Sequence, residues 1–105
     1  MVAWLRKFLG IKNAPVHTTR ILVKYDVGFK NQLYIRGSGA GLSWNKGLLL
    51  RNIGRDEWIF EIQMPFTLCE FKVLINDQHY EQGENHRLAS GKLFQYTPRF
   101  YTEIT

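Results

Sequence analysis

The chain has 105 residues, of which 45% are hydrophobic and 14% aromatic, and it carries a net charge of +5 and a single cysteine. This length accommodates one folded domain and excludes two. The lone thiol of Cys69 cannot form an internal disulfide, which argues against a disulfide-stapled extracellular module and favours a reducing compartment.

The N-terminal segment, residues 1–18, predicts a short amphipathic helix followed by a linker. One helical face would carry Trp4, Leu5, Phe8 and Leu9. Arg6 and Lys7 interrupt the apolar stretch, so it does not resemble a secretory signal peptide, and no run of the sequence is long enough to span a bilayer. We therefore predict a cytoplasmic protein. We expect the helix to pack on the domain; docking to a membrane surface or a protein partner is the alternative.

Residues 19–105 predict one all-β domain. Alternating apolar residues, typical of strands with one buried face, occur in TRILVKY (19–25), EWIFEIQ (57–63) and CEFKVLIND (69–77). Further short strands are predicted at 32–37 and 48–52, and a last strand is broken at Pro98, as suits a sheet edge. Six or seven short strands without a helix predict an antiparallel β-sandwich.

No pattern typical of an enzyme is present. The glycine-rich stretch 37–41 matches neither phosphate-binding motif and is better explained by a sharp loop. Zinc bound by His79, Glu84 and His86 is conceivable, but their spacing is not that of a helical metal site, and surface histidines are the simpler explanation. We therefore predict no catalytic, cofactor-binding or metal-binding residues.

Aromatic and polar residues in three predicted loops and strands suggest a different chemistry. Trp44 lies in the loop GLSWNKG, Lys72 on the outer side of a strand, and Tyr80 begins the polar turn YEQGEN. Flat aromatic rings can stack on the apolar face of a sugar, while Lys, Glu and Asn side chains bond its hydroxyl groups. Composition alone leaves Trp44 equally compatible with the core.

The run from Gln32 to Asn85 resembles the starch-binding domains of carbohydrate-binding module family twenty. It also resembles the related glycogen-binding domains of the AMP-activated kinase β subunit. The resemblance rests on LYIRG, GLSWNKG, EWIFEI, EFKVLIND and YEQGEN, which occur in the same order and spacing and together cover about half of the chain.

This resemblance implies an immunoglobulin-like sandwich that binds an α-1,4-glucan, such as starch, glycogen or a maltooligosaccharide, without catalysis. It implies Trp44 and Tyr80 as stacking platforms, with Lys72, Glu81 and Asn85 as polar partners of the sugar. Tyr80 stands where the family usually has a second tryptophan, so weaker binding is expected. The sequence does not identify a second sugar site.

Two alternatives remain open. A β-sandwich that has lost sugar binding and serves in protein interaction would bury Trp44 or Tyr80, or turn them in different directions. A basic nucleic-acid-binding β-domain would place cations and aromatics on one face. Residues 1–52 do carry nine cations and one acid, but these cations are scattered, so we disfavour a nucleic-acid partner.

Overall fold

The computed structural model describes residues 18–101, which form nine strands and no helix. The all-β prediction is confirmed for this range. The strands are β1 (Thr19–Lys24), β2 (Leu33–Ser38), β3 (Leu48–Leu49), β4 (Arg51–Gly54), β5 (Glu57–Ile62), β6 (Leu68–Ile75), β7 (His79–Tyr80), β8 (His86–Ala89) and β9 (Leu93–Tyr96). Among these residues no helix could cross a membrane. The predicted N-terminal helix lies outside the described residues.

The strands form two sheets that enclose one hydrophobic core. The first sheet has the order β4-β5-β1-β9, and the second has the order β3-β2-β6-β7, with β8 also paired to β6. Ile21 and Val23 of the first sheet and Ile35, Phe71 and Val73 of the second are fully buried in the same cluster. Trp58 of β5 belongs to the same cluster, and Phe60 and Ile62 pack against it. The predicted alternation in residues 19–25, 57–63 and 69–77 is thereby confirmed. The arrangement is sandwich-like.

The direction of one strand differs from the prediction of a wholly antiparallel fold. β9 runs parallel to β1, with Ile21 opposite Phe94 and Val23 opposite Tyr96. An alternating pattern specifies which face of a strand is buried but not the direction of the strand, so the sequence could not reveal this pairing. The predicted edge position of the last strand is confirmed, since β9 closes the first sheet.

The predicted strand 48–52 is divided between the two sheets. β3 pairs with β2 in the second sheet, whereas β4 pairs with β5 in the first. Between them Leu50 is 1% exposed, and its amide donates to the Leu33 carbonyl over 2.9 Å. The chain therefore passes from the second sheet to the first at Leu50, the one buried residue of the three consecutive leucines, whereas Leu48 and Leu49 are exposed.

Two turns position the outer surface of the second sheet. Asn76 and Asp77 both adopt left-handed backbone angles (φ 55° and 57°), and the Gln78 amide donates to the Ile75 carbonyl, which closes the predicted tight turn. The glycine-rich loop turns through residues 39–41, all with positive φ, before it returns to place the Ser43 carbonyl beside the Gly37 amide.

The close approach of β2 to β6 at Gly37 gives a test of this packing. A Cβ atom at position 37 would collide with the Glu70 backbone carbonyl, so Gly37→Ala is expected to lower the free energy of unfolding by about 2 kcal/mol. Ser38→Ala, on the exposed neighbouring position, should change it by less than about 0.5 kcal/mol. Urea denaturation of both variants measures the difference, and equal stabilities would contradict this account.

Candidate functional site

The outer face of the second sheet carries a row of large side chains. In the register of the sheet, Tyr34 lies opposite both Leu49 and Leu74, and Leu74 lies opposite Tyr80. Residues paired in this way project on the same face and contact each other. We call these four residues the outer row. Leu74 is fully buried although it points away from the core, whereas Tyr80 remains 44% exposed.

Arg36 occupies the next position on this face, directly opposite Lys72. Its Nε donates to Asp77 Oδ1 over 2.8 Å, its Nη2 to the Asp77 carbonyl over 3.2 Å, and its Nη1 to the Trp44 carbonyl over 3.0 Å. Hydrogen bonding to Asp77 is the largest cause that raises the pKa of Arg36. One guanidinium group thus joins the Trp44 loop to the turn that precedes Tyr80.

Asp77, which lies in that turn, also bonds directly to the Trp44 loop. Its second carboxylate oxygen accepts a hydrogen bond from the Gly47 amide over 3.2 Å. The guanidinium of Arg36 lowers the pKa of Asp77. A carboxyl group with a lowered pKa in the folded state stabilises the fold above its ordinary pKa, and that stabilisation is lost as the pH falls through the lowered value. The Asp77 carboxyl group is therefore ionised at neutral pH and can accept both hydrogen bonds.

The two aromatic candidates both present part of their surface to solvent. Trp44 is half-buried and Tyr80 is exposed, so neither is a core residue. Of the two arrangements expected for the protein-interaction alternative, a buried ring is therefore not found, while rings turned in different directions stay open. Arg36 bonds to the Trp44 carbonyl and to Asp77, and Asp77 lies three residues before Tyr80, so the structure brings the two candidates to the same region of the second sheet.

Lys72 also belongs to this region. It lies on the outer side of β6, as the sequence predicted, and its Nζ donates to the Glu81 carbonyl over 2.9 Å. An ammonium group has further N–H donors beyond the one used here. Lys72 therefore supports the loop after β7 and can still donate to a ligand on the outer face.

Glu81 has a different position from the one that the resemblance implied. Its side chain points inward and is 3% exposed. One carboxylate oxygen accepts hydrogen bonds from the Val73 amide (2.8 Å) and the Tyr96 hydroxyl (2.6 Å), and the other lies 3.0 Å from His86 Nε2. The carboxylate is buried and already bonded, which does not favour a contact between it and a sugar, and the role of Glu81 as a polar partner stays a prediction. Strand alternation does not extend into the loop, so the inward position of the Glu81 side chain could not be read from the sequence.

The Glu81 carboxylate is the centre of a polar cluster between the sheets. The His86 ring packs against Tyr96 and Phe71, with ring centroids 4.3 and 4.9 Å apart. Burial, followed by the charge of Glu81, raises the pKa of Tyr96 far above its ordinary value. The phenol consequently stays protonated and continues to donate to Glu81. Since Tyr96 is on β9 and His86 on β8, the cluster connects the two sheets.

The remaining candidates lie in the loop between β7 and β8 or beside it. Asn85 is exposed immediately before β8, and Glu84 and His79 are exposed nearby. Asn85 is therefore accessible to a ligand. The zinc ligands considered above do not converge: across residues 18–101, no group of three or more His, Cys, Asp or Glu side chains could hold a metal ion.

Sequence reasoning missed Arg36, the residue that joins these parts. Its position in LYIRG, two residues after Tyr34, places both side chains on one face of a strand, and this alternation was visible in the sequence. Its pairing with Lys72 depends on long-range register, and its hydrogen bond to the Trp44 carbonyl depends on the path of the glycine-rich loop, neither of which local sequence patterns determine.

Comparison with known proteins adds no family assignment: no protein-family model and no curated protein matches the chain. The resemblance to starch-binding and glycogen-binding domains therefore stays a prediction, based on the motifs between Gln32 and Asn85.

The structural role of Glu81 can be tested separately from any ligand. Glu81→Gln removes the charge and one acceptor oxygen from a buried cluster, and we expect it to lower the free energy of unfolding by about 2 kcal/mol. Glu84→Gln makes the same chemical change at an exposed position in the same loop and should cost less than about 0.5 kcal/mol. Urea unfolding monitored by circular dichroism compares them; an unaffected Glu81→Gln would refute the assignment.

Proposed function

We propose that the chain is a non-catalytic module that binds an α-1,4-glucan on the outer face of its second sheet, and that its sandwich is of the immunoglobulin-like kind. The observation that carries the proposal is the set of hydrogen bonds from Arg36 to the Trp44 carbonyl and to Asp77. These bonds hold the loop of one predicted aromatic platform against the turn that leads to the other.

The exposure of the two platforms suits stacking on a sugar. Trp44 is half-buried and Tyr80 is 44% exposed, so each has a supported side and an accessible side. A ring that is already partly packed loses little side-chain entropy when it binds. Platforms on separate segments can be set at an angle to each other, which matches the curvature of an α-1,4-glucan better than a flat cellulose chain.

Polar groups near the platforms supply the remaining contacts. Lys72 projects from the same face as Arg36, and Asn85 is exposed in the loop that follows Tyr80. Hydroxyl groups of the sugar would accept from Lys72 and exchange hydrogen bonds with Asn85. Glu81 serves this site by holding the loop, through its carbonyl bond to Lys72 and its buried carboxylate, rather than by contacting sugar.

Isothermal titration of the chain with maltoheptaose and with β-cyclodextrin tests the proposal. Saturable binding is expected, and Trp44→Ala and Tyr80→Ala should each weaken it about tenfold, since each removes a stacking face worth about 1.4 kcal/mol. Tyr101→Ala, which removes an aromatic ring that is 89% exposed, is the matched control and should leave the affinity unchanged.

Further ligands distinguish the alternatives. Cellohexaose, whose β-1,4-linked chain is flat, should bind more weakly than maltoheptaose. Failure of folded wild-type protein to bind any α-glucan would overturn the proposal and favour the protein-interaction domain. Binding of single-stranded oligonucleotides that falls steeply with salt concentration would instead favour the nucleic-acid alternative.

A further inference from the structure

A second candidate site lies at a different place in the fold. A cavity of about 630 Å³ opens between the β1–β2 loop and the β4–β5 turn. This volume is within the range of small-molecule sites. The residues that line it include none of the outer row and none of the proposed glucan contacts, so the glucan proposal does not account for it.

Two cations at the cavity have no ion-pair partner among the described residues. Lys30 and Arg55 both line it, and neither forms an ion pair within residues 18–101. The basic residues of β1 differ in this respect, because Arg20 and Lys24 are each bonded to a glutamate. Unpaired cations beside a concave surface raise the local concentration of anions.

Among the described residues of the cavity wall, the one acid is Asp26, and one of its carboxylate oxygens is already hydrogen-bonded. Asp26 Oδ1 accepts a hydrogen bond from the Gly28 amide over 3.0 Å, within the same loop. The lining within residues 18–101 therefore has one carboxylate against two cations, with several N–H donors on Lys30 and Arg55. A ligand that suits this lining is rich in hydrogen-bond acceptors and negatively charged.

Two aromatic residues add an apolar component. Phe29 lines the cavity while its side chain is 98% exposed, so its ring is available to a ligand. Trp58 forms part of the wall at 5% exposure, and its indole N–H is buried with no acceptor among the described residues. A buried donor without a partner is unfavourable, so an acceptor that reached this N–H would stabilise the bound state.

We propose that this cavity binds a phosphate ester attached to a flat ring. Lys30 and Arg55 bind the phosphate oxygens, and Phe29 packs against the ring. Guanidinium and ammonium groups are the side chains best suited to a phosphate dianion, and Arg55 can form paired hydrogen bonds to it. This site is independent of the glucan site, and either can exist without the other.

Phenyl phosphate, inorganic phosphate and phenol are the probes, because they separate the ring from the anion. Titrations of ¹⁵N-labelled protein should show saturable shifts at the Phe29, Lys30 and Arg55 amides and at the Trp58 indole N–H. That indole signal is identified by its absence in Trp58→Phe. Phenyl phosphate should bind more tightly than either inorganic phosphate or phenol.

Charge-removing variants complete the test. Lys30→Gln with Arg55→Gln should weaken phenyl phosphate about tenfold or more, since bonds to a charged group are lost. Arg51→Gln with Lys92→Gln removes the same charge from exposed positions outside this lining and should leave the affinity unchanged. Equal weakening by both double variants would show a general charge effect and overturn the proposal. So would the absence of shifts at the cavity in the folded wild type.

Discussion

The buried carboxylate of Glu81 is the constraint on which the arrangement of both sheets depends. A charge in a protein interior is tolerated only where hydrogen bonds replace the lost water, and here the Val73 amide, the Tyr96 hydroxyl and His86 provide them. The Glu81 amide also donates to the Val73 carbonyl. These bonds fix where the chain leaves β7, and therefore where Tyr80 lies at the edge of the second sheet.

A second polar centre controls the outer face of that sheet. The Arg36 and Asp77 pair is partly exposed, so its contribution to stability is modest. Its hydrogen bonds nevertheless join the Trp44 loop to the Asn76-Asp77 turn, two segments that are far apart in the sequence. Glu81 sets the position of the strand edge, and Arg36 sets the position of the Trp44 loop relative to it. The proposed glucan site thus depends on residues that do not themselves stack on sugar.

The sequence predicted what alternation and turn chemistry determine locally. The inner faces of 19–25 and 57–63 and the Asn76-Asp77 turn follow from side-chain periodicity and backbone preference. The division of the leucine run at Leu50, the direction of β9 and the inward rotation of Glu81 depend on partners far along the chain. Local patterns carry no information about such partners. Within the candidate site, the outward position of Lys72 follows from strand alternation, whereas the linking role of Arg36 could not be predicted.

The parallel pairing of β1 with β9 has a consequence for the timing of folding during synthesis. β1 is an interior strand of the first sheet, yet one of its two neighbours is made only when residues 93–96 emerge from the ribosome. Until then one hydrogen-bonding edge of β1 is unpaired. The same strand carries the apolar residues Ile21 and Val23 on its inner face. Such an edge can pair with other chains, so the nascent domain passes through an aggregation-prone interval that the finished sheet removes.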